Sequence, residues 1–227
     1  LSQSSVVQPP DTEASIDLGL ASVPVATLPP GGLEGVVLRS NASPPPVPPE
    51  VVSRNAEGRP TVRAVRLSSP LNIDGQLNET VYQTVSPISG FTQSEPLAGS
   101  PASDPTEAWL FFGPEHVYVS FKCWESQLDR LVANVTERDG NVVQGDFVAF
   151  ALDTFYDRRT SVVFTIGAGG GLMDGQTTDE SQYSGDWNPI WDVEVGRFDG
   201  GWIVEAAVPF TSLRYRPGRE QVRGIQM

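Results

Sequence analysis

The fold of this chain is decided by the stretch Trp191-Asp-Val-Glu-Val-Gly-Arg-Phe-Asp-Gly-Gly-Trp-Ile-Val-Glu-Ala-Ala-Val-Pro-Phe210. Apolar and polar residues alternate on both sides of Asp199-Gly200-Gly201, which is typical of a tight turn between antiparallel strands. The stretch therefore predicts two strands, residues 191–198 and 202–208, joined as a hairpin. Tryptophans crowd around this hairpin, and such rings form either a core or a stacking platform for a ligand.

The same alternation recurs through most of the chain after residue 61. Further strands are predicted at residues 62–67, 107–112, 117–124, 131–135, 146–153, 161–166 and 222–227, whereas only 77–85 has the pattern of a short helix. On the strand 117–124, one face is formed by Val117, Val119, Phe121 and Cys123. About nine strands with so little helix predict an all-β fold, an antiparallel immunoglobulin-like β-sandwich.

Residues 1–60 differ in composition, because they hold 11 of the 20 prolines and no aromatic residue. Such a segment cannot bury enough apolar surface to offset its ordering entropy. We therefore predict a long extended Pro-rich N-terminal arm over residues 1–60 and a sandwich over residues 61–227. Extended segments are well suited to lie along a protein partner. The candidate contact residues of the arm are Pro29, Pro30, Pro44, Pro45 and Pro46.

Charge and cysteine content narrow the class of protein. The formal net charge of the 227 residues is −13, and such an acidic balance argues against nucleic-acid binding. No apolar run is long enough for a transmembrane helix. The single cysteine, Cys123, excludes an internal disulfide and a Cys-rich metal site. We interpret Leu1 at the first position as a processed N-terminus, and we expect an exported protein without a cofactor.

Four blocks occur in order between residues 71 and 214. They are Leu71-Asn-Ile-Asp-Gly-Gln-Leu-Asn-Glu79; Val117-Tyr-Val-Ser-Phe121; Arg138-Asp139 with Gly145-Asp-Phe-Val-Ala-Phe-Ala-Leu-Asp-Thr-Phe155 and Asp157-Arg158-Arg159; and the closing hairpin through Ser212-Leu-Arg214. Together they resemble the carbohydrate-binding family 9-like (DOMON-like) domain of exported bacterial proteins. The resemblance implies an immunoglobulin-like sandwich, a non-catalytic role, and a periplasmic or otherwise extracytoplasmic location.

Three tryptophans are candidate ligand-binding residues, because the C–H faces of sugars pack on indole rings as other apolar groups do. Trp124 ends a predicted strand, Trp187 follows the loop residues Ser184-Gly185-Asp186, and Trp191 enters the hairpin. Trp109 and Trp202 lie inside strand patterns, and we expect them in the core.

Charged residues give no catalytic or metal-binding pattern. The aspartates near strand ends, such as Asp139, Asp146, Asp153 and Asp157, lack EF-hand spacing, and aspartates in such places usually cap turns. No carboxylate spacing favours glycoside hydrolysis. His116, in a predicted turn, and Met173 do not indicate a haem pair. We therefore predict neither an enzyme nor a metal site.

Arginines make the C-terminal end basic within an acidic chain, at Arg214, Arg216, Arg219 and Arg223. They form either a solvated face or a docking patch for an acidic partner, in which Arg214 and Arg216 are the candidate contacts.

Two functions remain open at this point. The favoured one is a non-catalytic accessory subunit, docked on a larger membrane-associated envelope complex through protein contacts of the arm. The alternative is a periplasmic glycan-binding module. The arm and the lack of a catalytic constellation favour the first, and the second predicts an exposed pair of aromatic rings in a groove.

Overall fold

The structure is a computed structural model that describes residues 43–179, 182–215 and 223–227, together with the backbone of three short strands nearer the N-terminus. Those strands are β1 (Ala14–Asp17), β2 (Val25–Ala26) and β3 (Leu38–Arg39). β2 pairs with β3, and β1 pairs with the edge of the larger sheet.

The remaining elements are nearly all strands, with one five-residue helix and three single 3-10 turns. They are β4 (Val52–Arg54), β5 (Pro60–Arg66), α1 (Thr80–Thr84), β6 (Thr106–Phe112), β7 (His116–Trp124), β8 (Phe147–Asp153), β9 (Ser161–Gly167), β10 (Leu172–Thr178), β11 (Gln182–Ser184), β12 (Asp192–Phe198), β13 (Gly201–Pro209) and β14 (Gly224–Gln226). The 3-10 turns cover Leu128–Arg130, Val142–Gln144 and Phe210–Ser212.

Two sheets pack face to face as a sandwich, which confirms the predicted fold class. The larger sheet has the order β1-β5-β6-β7-β13-β12, with β4 also paired to β5, and the smaller has the order β11-β10-β9-β8-β14. All strand pairs are antiparallel except β5 with β6, which run parallel at Val65 and Phe111. β5 reaches β6 through the long 67–105 segment, whereas a tight turn could join only antiparallel neighbours.

The core between the sheets is formed by alternate residues of the central strands. Val117, Val119, Phe121 and Cys123 of β7 all face it, as predicted, and so do Trp202, Val204, Ala206 and Val208 of β13. Phe150 of β8 stacks on Phe164 of β9 at 4.8 Å between ring centres. Each fully buried large side chain contributes about 1.5–3 kcal/mol, so this layer supplies most of the stability.

A second apolar cluster lies on the other face of the larger sheet, beneath the 67–85 segment. It contains Tyr82 of α1 packed edge-on against Trp109 and Phe111 of β6. Trp109 and Trp202 are 5% and 4% exposed, so the prediction of core positions for both is confirmed.

Glu205 of β13 holds the 67–85 segment on the sheet through hydrogen bonds. Its side chain is fully buried, and its Oε2 accepts hydrogen bonds from the backbone N–H groups of Asp74 (3.1 Å), Gly75 (2.9 Å) and Gln76 (3.2 Å). The hydroxyl of Tyr82 donates to Oε1 at 2.8 Å. Four donors thus bind the carboxyl group, which partly compensates for its removal from water.

Some predicted elements were wrong. Residues 131–135 form no strand, because their carbonyl groups lie over the β9–β10 turn, where Gly171 donates to Val135 at 3.0 Å. An added Cβ at Gly169 would lie 2.5 Å from the carbonyl oxygen of Ala133, so the glycines of this turn permit the crossing. Conversely, β1 to β4, β10 and β11 are not among the predicted strands.

Candidate functional site

The best-defined polar cluster is centred on Asp174 of β10, whose side chain is 1% exposed. Its Oδ2 accepts from Arg138 Nη2 at 2.6 Å and from the indole Nε1 of Trp191 at 3.1 Å. Burial raises the pKa of Asp174, while the Trp191 hydrogen bond and the Arg138 charge act against that rise. The cluster therefore joins a buried carboxyl group to a partly exposed guanidinium.

Arg138 also holds the loop that enters β12. Besides Asp174, its Nη2 donates to Asn188 Oδ1 at 2.8 Å and to the carbonyl oxygen of Pro189 at 3.1 Å. The Arg138 side chain is 35% exposed, so its guanidinium reaches the surface while it holds this loop. A planar guanidinium with several donors suits such a bridge better than a lysine would.

Trp187 stands in the loop that Arg138 fixes. Its ring is half-buried and meets Phe164 edge-on, at 5.6 Å between centres and 71° between planes. Near it, Tyr183 of β11 is 48% exposed and donates its hydroxyl to the main-chain oxygen of Asp174 at 3.0 Å. One tryptophan and one tyrosine thus present surface beside fixed polar groups. We call Arg138, Asp139, Asp174, Tyr183, Trp187 and Asn188 the Trp187 site.

Asp139 completes the Trp187 site on its acidic side. It adopts φ 58°, a left-handed conformation that Asp tolerates, and its N–H donates to the carbonyl oxygen of Leu172 at 2.7 Å. Burial is the main cause that raises the pKa values of Asp174 and Tyr183, and the charge of Asp139 adds to both. The backbone contact with Leu172 places Asp139 beside β10, two positions before Asp174.

Of the residues in this site, the sequence predicts only Trp187 as a ligand-binding residue. Arg138 belongs to one of the family-like motifs, and nothing in the sequence points to Asn188. No spacing rule finds them, because the three groups that Arg138 joins lie 36, 50 and 51 positions away along the chain.

Trp191 does not belong to the exposed surface of the site. Its side chain is 6% exposed and packs edge-on against Phe164 at 4.9 Å. The structure therefore corrects its assignment as a ligand-stacking residue: the ring is part of the core, and its indole N–H is used by Asp174.

Trp124 lies far from Trp187. It pairs with Gly201 at one end of β13, whereas the loop before β12 lies next to Ala207, about 20 Å away along the strand. Its half-buried ring meets Phe198 edge-on at 5.7 Å and carries the Lys122 ammonium at 4.7 Å. The structure therefore does not bring the candidate tryptophans together in one platform.

The predicted partner contacts are only partly described. Pro29, Pro30 and Arg216 lie outside the described residues. Pro44 is exposed, Pro45 is half-buried and Pro46 is buried against the same chain. Ser43, the residue before them, accepts from the Thr61 hydroxyl of β5 at 3.1 Å through its carbonyl oxygen. The stretch from residue 43 onward thus packs on the sandwich of its own chain.

Of the arginines near the C-terminal end, the structure describes Arg214 and Arg223, and these two do not share one surface. Arg214 is exposed, and its carbonyl oxygen accepts from the Thr154 hydroxyl. Arg223 is 1% exposed and lies over the Tyr215 ring at 4.4 Å. Burial lowers the pKa of Arg223 to about 10. Arg223 is therefore a core residue and not part of a solvated basic face.

Aspartates at the β8 end cap a turn, as predicted. Asp153 accepts from the N–H groups of Phe155, Asp157 and Arg158, and Asp157 accepts from those of Arg159 and Thr160.

Within the described parts of the chain, no three His, Cys, Asp or Glu side chains converge as a possible metal site. The Arg159 side chain pairs with Asp179 at 2.5 Å, and not with the aspartates of its own turn.

Comparison with solved structures finds carbohydrate-binding modules. A family 9 module from Caldicellulosiruptor kristjanssonii in complex with glucose is 17% identical, with 71% of this chain and 83% of that chain covered and a TM-score of 0.48. The module of that family and organism in complex with cellotriose is 17% identical, with 64% and 66% covered and a TM-score of 0.42. The chain thus spans just under two thirds of that second module.

A third similar structure is a proposed carbohydrate-binding protein from Bacteroides uniformis. It is 10% identical, with 68% of this chain and 75% of that chain covered and a TM-score of 0.48. The two Caldicellulosiruptor kristjanssonii modules carry the name of the family that the sequence motifs resemble. No protein-family model matches the chain, and no curated protein matches it either. Among the helices in the described residues, none has the length and apolarity needed to cross a membrane.

Proposed function

We propose that this protein binds a glycan at the Trp187 site and does so without catalysing a reaction. The observation that carries the proposal is the half-exposed Trp187 ring, supported from behind by Phe164 and placed next to polar groups that Arg138 holds in position. Sugar recognition uses this combination, since an aromatic face takes the apolar side of the sugar ring and fixed polar groups take its hydroxyls.

Rigid support favours binding at this position. Trp187 lies on a loop, but Arg138 ties that loop at Asn188 and Pro189 to the buried Asp174. A side chain that is already ordered loses little entropy when a ligand arrives. The exposed hydroxyl-bearing ring of Tyr183 extends the surface on the β11 side.

Calorimetric titration of the full chain with glucose and cellotriose, the sugars bound in two of the similar modules, tests the proposal. Trp187→Ala is expected to weaken binding by about tenfold or more, because truncating an aromatic anchor removes a large share of interface free energy. Trp124→Ala, a half-buried tryptophan at the other end of the hairpin, is the matched control and should bind as the unmodified chain does. Equal weakening by both variants, or no binding across a broad glycan panel, would overturn the proposal.

The accessory-subunit function, the protein partners and the extracytoplasmic location stay predictions. The packing of residues 43–46 on their own sandwich gives them no added support. For this reason we place the glycan-binding function first, reversing the order that the sequence favoured.

A further inference from the structure

The Trp187 site has an unbalanced negative charge. Arg138 brings one positive charge, and its 2.6 Å ion pair with Asp174 already balances it. Asp139 and Asp186 are both exposed, and Asp186 directly precedes Trp187. In the part of the chain that the structure describes, neither carboxylate forms an ion pair.

These two carboxylates act on the surface where a sugar would lie. The backbone N–H of Asp139 donates to Leu172 of β10 at 2.7 Å, two positions before Asp174, and Asp186 is adjacent in the chain to the stacking ring. The charge of Asp139 adds to the rise that burial causes in the pKa values of Asp174 and Tyr183. Ionised carboxylates accept hydrogen bonds and cannot donate them. They therefore repel a uronic acid and attract a ligand that has N–H donors and a positive charge.

The half-buried Trp187 ring has the same preference. The face of an indole ring is the negative side of its quadrupole, so it attracts a cation within about 6 Å of the ring centre. The chain already has such a contact elsewhere, because Lys122 lies 4.7 Å from the centre of Trp124. A protonated sugar amine at Trp187 would make the equivalent contact and meet the carboxylates beside it.

We propose that the Trp187 site selects glycans with free, protonated amino groups, of the glucosamine type, over neutral sugars and over uronic acids. The inference rests on the glycan-binding function proposed above. Two unit charges a few ångströms away in a solvated site change affinity by about three- to tenfold, and the effect weakens as salt is added.

Three trisaccharides test whether the site prefers cationic, neutral or anionic sugars: the fully deacetylated glucosamine trimer, cellotriose and trigalacturonic acid. In calorimetric titrations of the full chain at mildly acidic pH, we expect the glucosamine trimer to bind about three- to tenfold more tightly than cellotriose. We expect trigalacturonic acid to bind more weakly than cellotriose. High salt should reduce the first difference, because it screens exposed charges.

Two variants distinguish a preference for the amine at this site from a general attraction of a cationic sugar to an acidic protein. Asp139→Asn should reduce the preference for the amine, because it removes one of the two carboxylates, and the left-handed backbone at this position accepts Asn. Glu57→Gln, an equal charge change in the exposed β4–β5 turn, should leave it unchanged.

Equal affinities for the glucosamine trimer and cellotriose would overturn the selectivity, and so would an unchanged preference in Asp139→Asn. Retained binding of the glucosamine trimer by Trp187→Ala would place the amine elsewhere and would also overturn it. If no trisaccharide binds at all, the proposed function itself fails. Tight binding of cellotriose without preference for the amine leaves that function standing.

Discussion

Glu205 joins parts of the chain that lie about 130 positions apart in sequence. One carboxylate oxygen accepts three backbone N–H groups of the 74–76 loop, and the other accepts the Tyr82 hydroxyl. Burial raises the pKa of Glu205 in spite of these donors. If an amide replaces the carboxylate, its NH2 group takes the place of one oxygen and points at groups that are themselves donors. Buried donors then lose their acceptor.

Glu205→Gln is therefore expected to lower the free energy of unfolding by about 2–4 kcal/mol, measured by urea denaturation. Glu194→Gln is the matched control, because Glu194 is the cross-strand neighbour of Glu205 and is exposed. Comparable destabilisation by the two variants would show that the buried hydrogen bonds of Glu205 contribute little.

Single residues were predictable where period-two alternation decides their face. That rule correctly placed Trp202 and Cys123 in the core. It also places Glu205 on the opposite face, which alternation alone would leave to solvent. The 67–85 segment covers that face, and its docking depends on contacts about 130 positions apart, which local patterns do not encode. The Arg138–Asp174 pair was missed for the same reason.

At the scale of elements, the 74–76 loop docks on β12 through two glycines. A Cβ added to Gly196 would lie 1.9 Å from the carbonyl oxygen of Gly75, and Gly75 itself has φ 76°. No side chain fits between these backbones, so loop and strand can approach closely only with glycine on both sides.

Gly196→Ala is expected to push the loop away and to lower the free energy of unfolding by about 1–3 kcal/mol. Hydrogen exchange should locate the damage: the amides of Asp74, Gly75 and Gln76 exchange faster, while those of β8 and β9 stay protected. Gly113→Ala, where an added Cβ would meet the Tyr118 ring at an ordinary 3.6 Å, serves as the control. Unchanged protection of the three loop amides would contradict the close docking.

Strands were predictable where apolar alternation is strong, and their ends were right to within a few residues for most of β5 to β9 and for β12 to β14. β10 was missed because Leu172-Met-Asp-Gly-Gln-Thr-Thr178 follows a glycine run and is largely polar. It forms a strand because β9 and β11 pair with it on both sides. The apolar run 131–135 lacks such neighbours, and so it stays outside the sheets.

At the scale of the whole molecule, the ionisation of carboxyl groups makes the free energy of unfolding depend on pH. Burial raises the pKa values of Asp153, Asp174 and Glu205. At a pH between the unfolded and folded pKa values, the folded state holds protons that the unfolded state has lost. The free energy of unfolding therefore falls as pH rises through this window. The net charge of −13 acts in the same direction, because self-repulsion grows as carboxylates ionise.

We expect the protein to be more stable at roughly pH 5 than at roughly pH 8, by about 1.4 kcal/mol for each unit by which a folded pKa lies above 5. Below about pH 4 the trend reverses for Asp157, whose pKa the N–H groups of Arg159 and Thr160 lower against the effect of burial. Urea denaturation across this range, at low and high salt, measures both contributions. A stability that is flat or rising between the two higher pH values would contradict the assignment.

Asp174 touches the interior and the surface at once, since it accepts from the core ring of Trp191 and from the half-exposed Arg138. Buried and exposed residues, which usually diverge at different speeds, are thereby linked in this domain. A relative that exchanges Arg138 leaves a buried carboxylate without its counter-charge, so a compensating exchange beneath the surface should follow. Substitutions at these two positions should accordingly occur as pairs, one at the surface and one in the core.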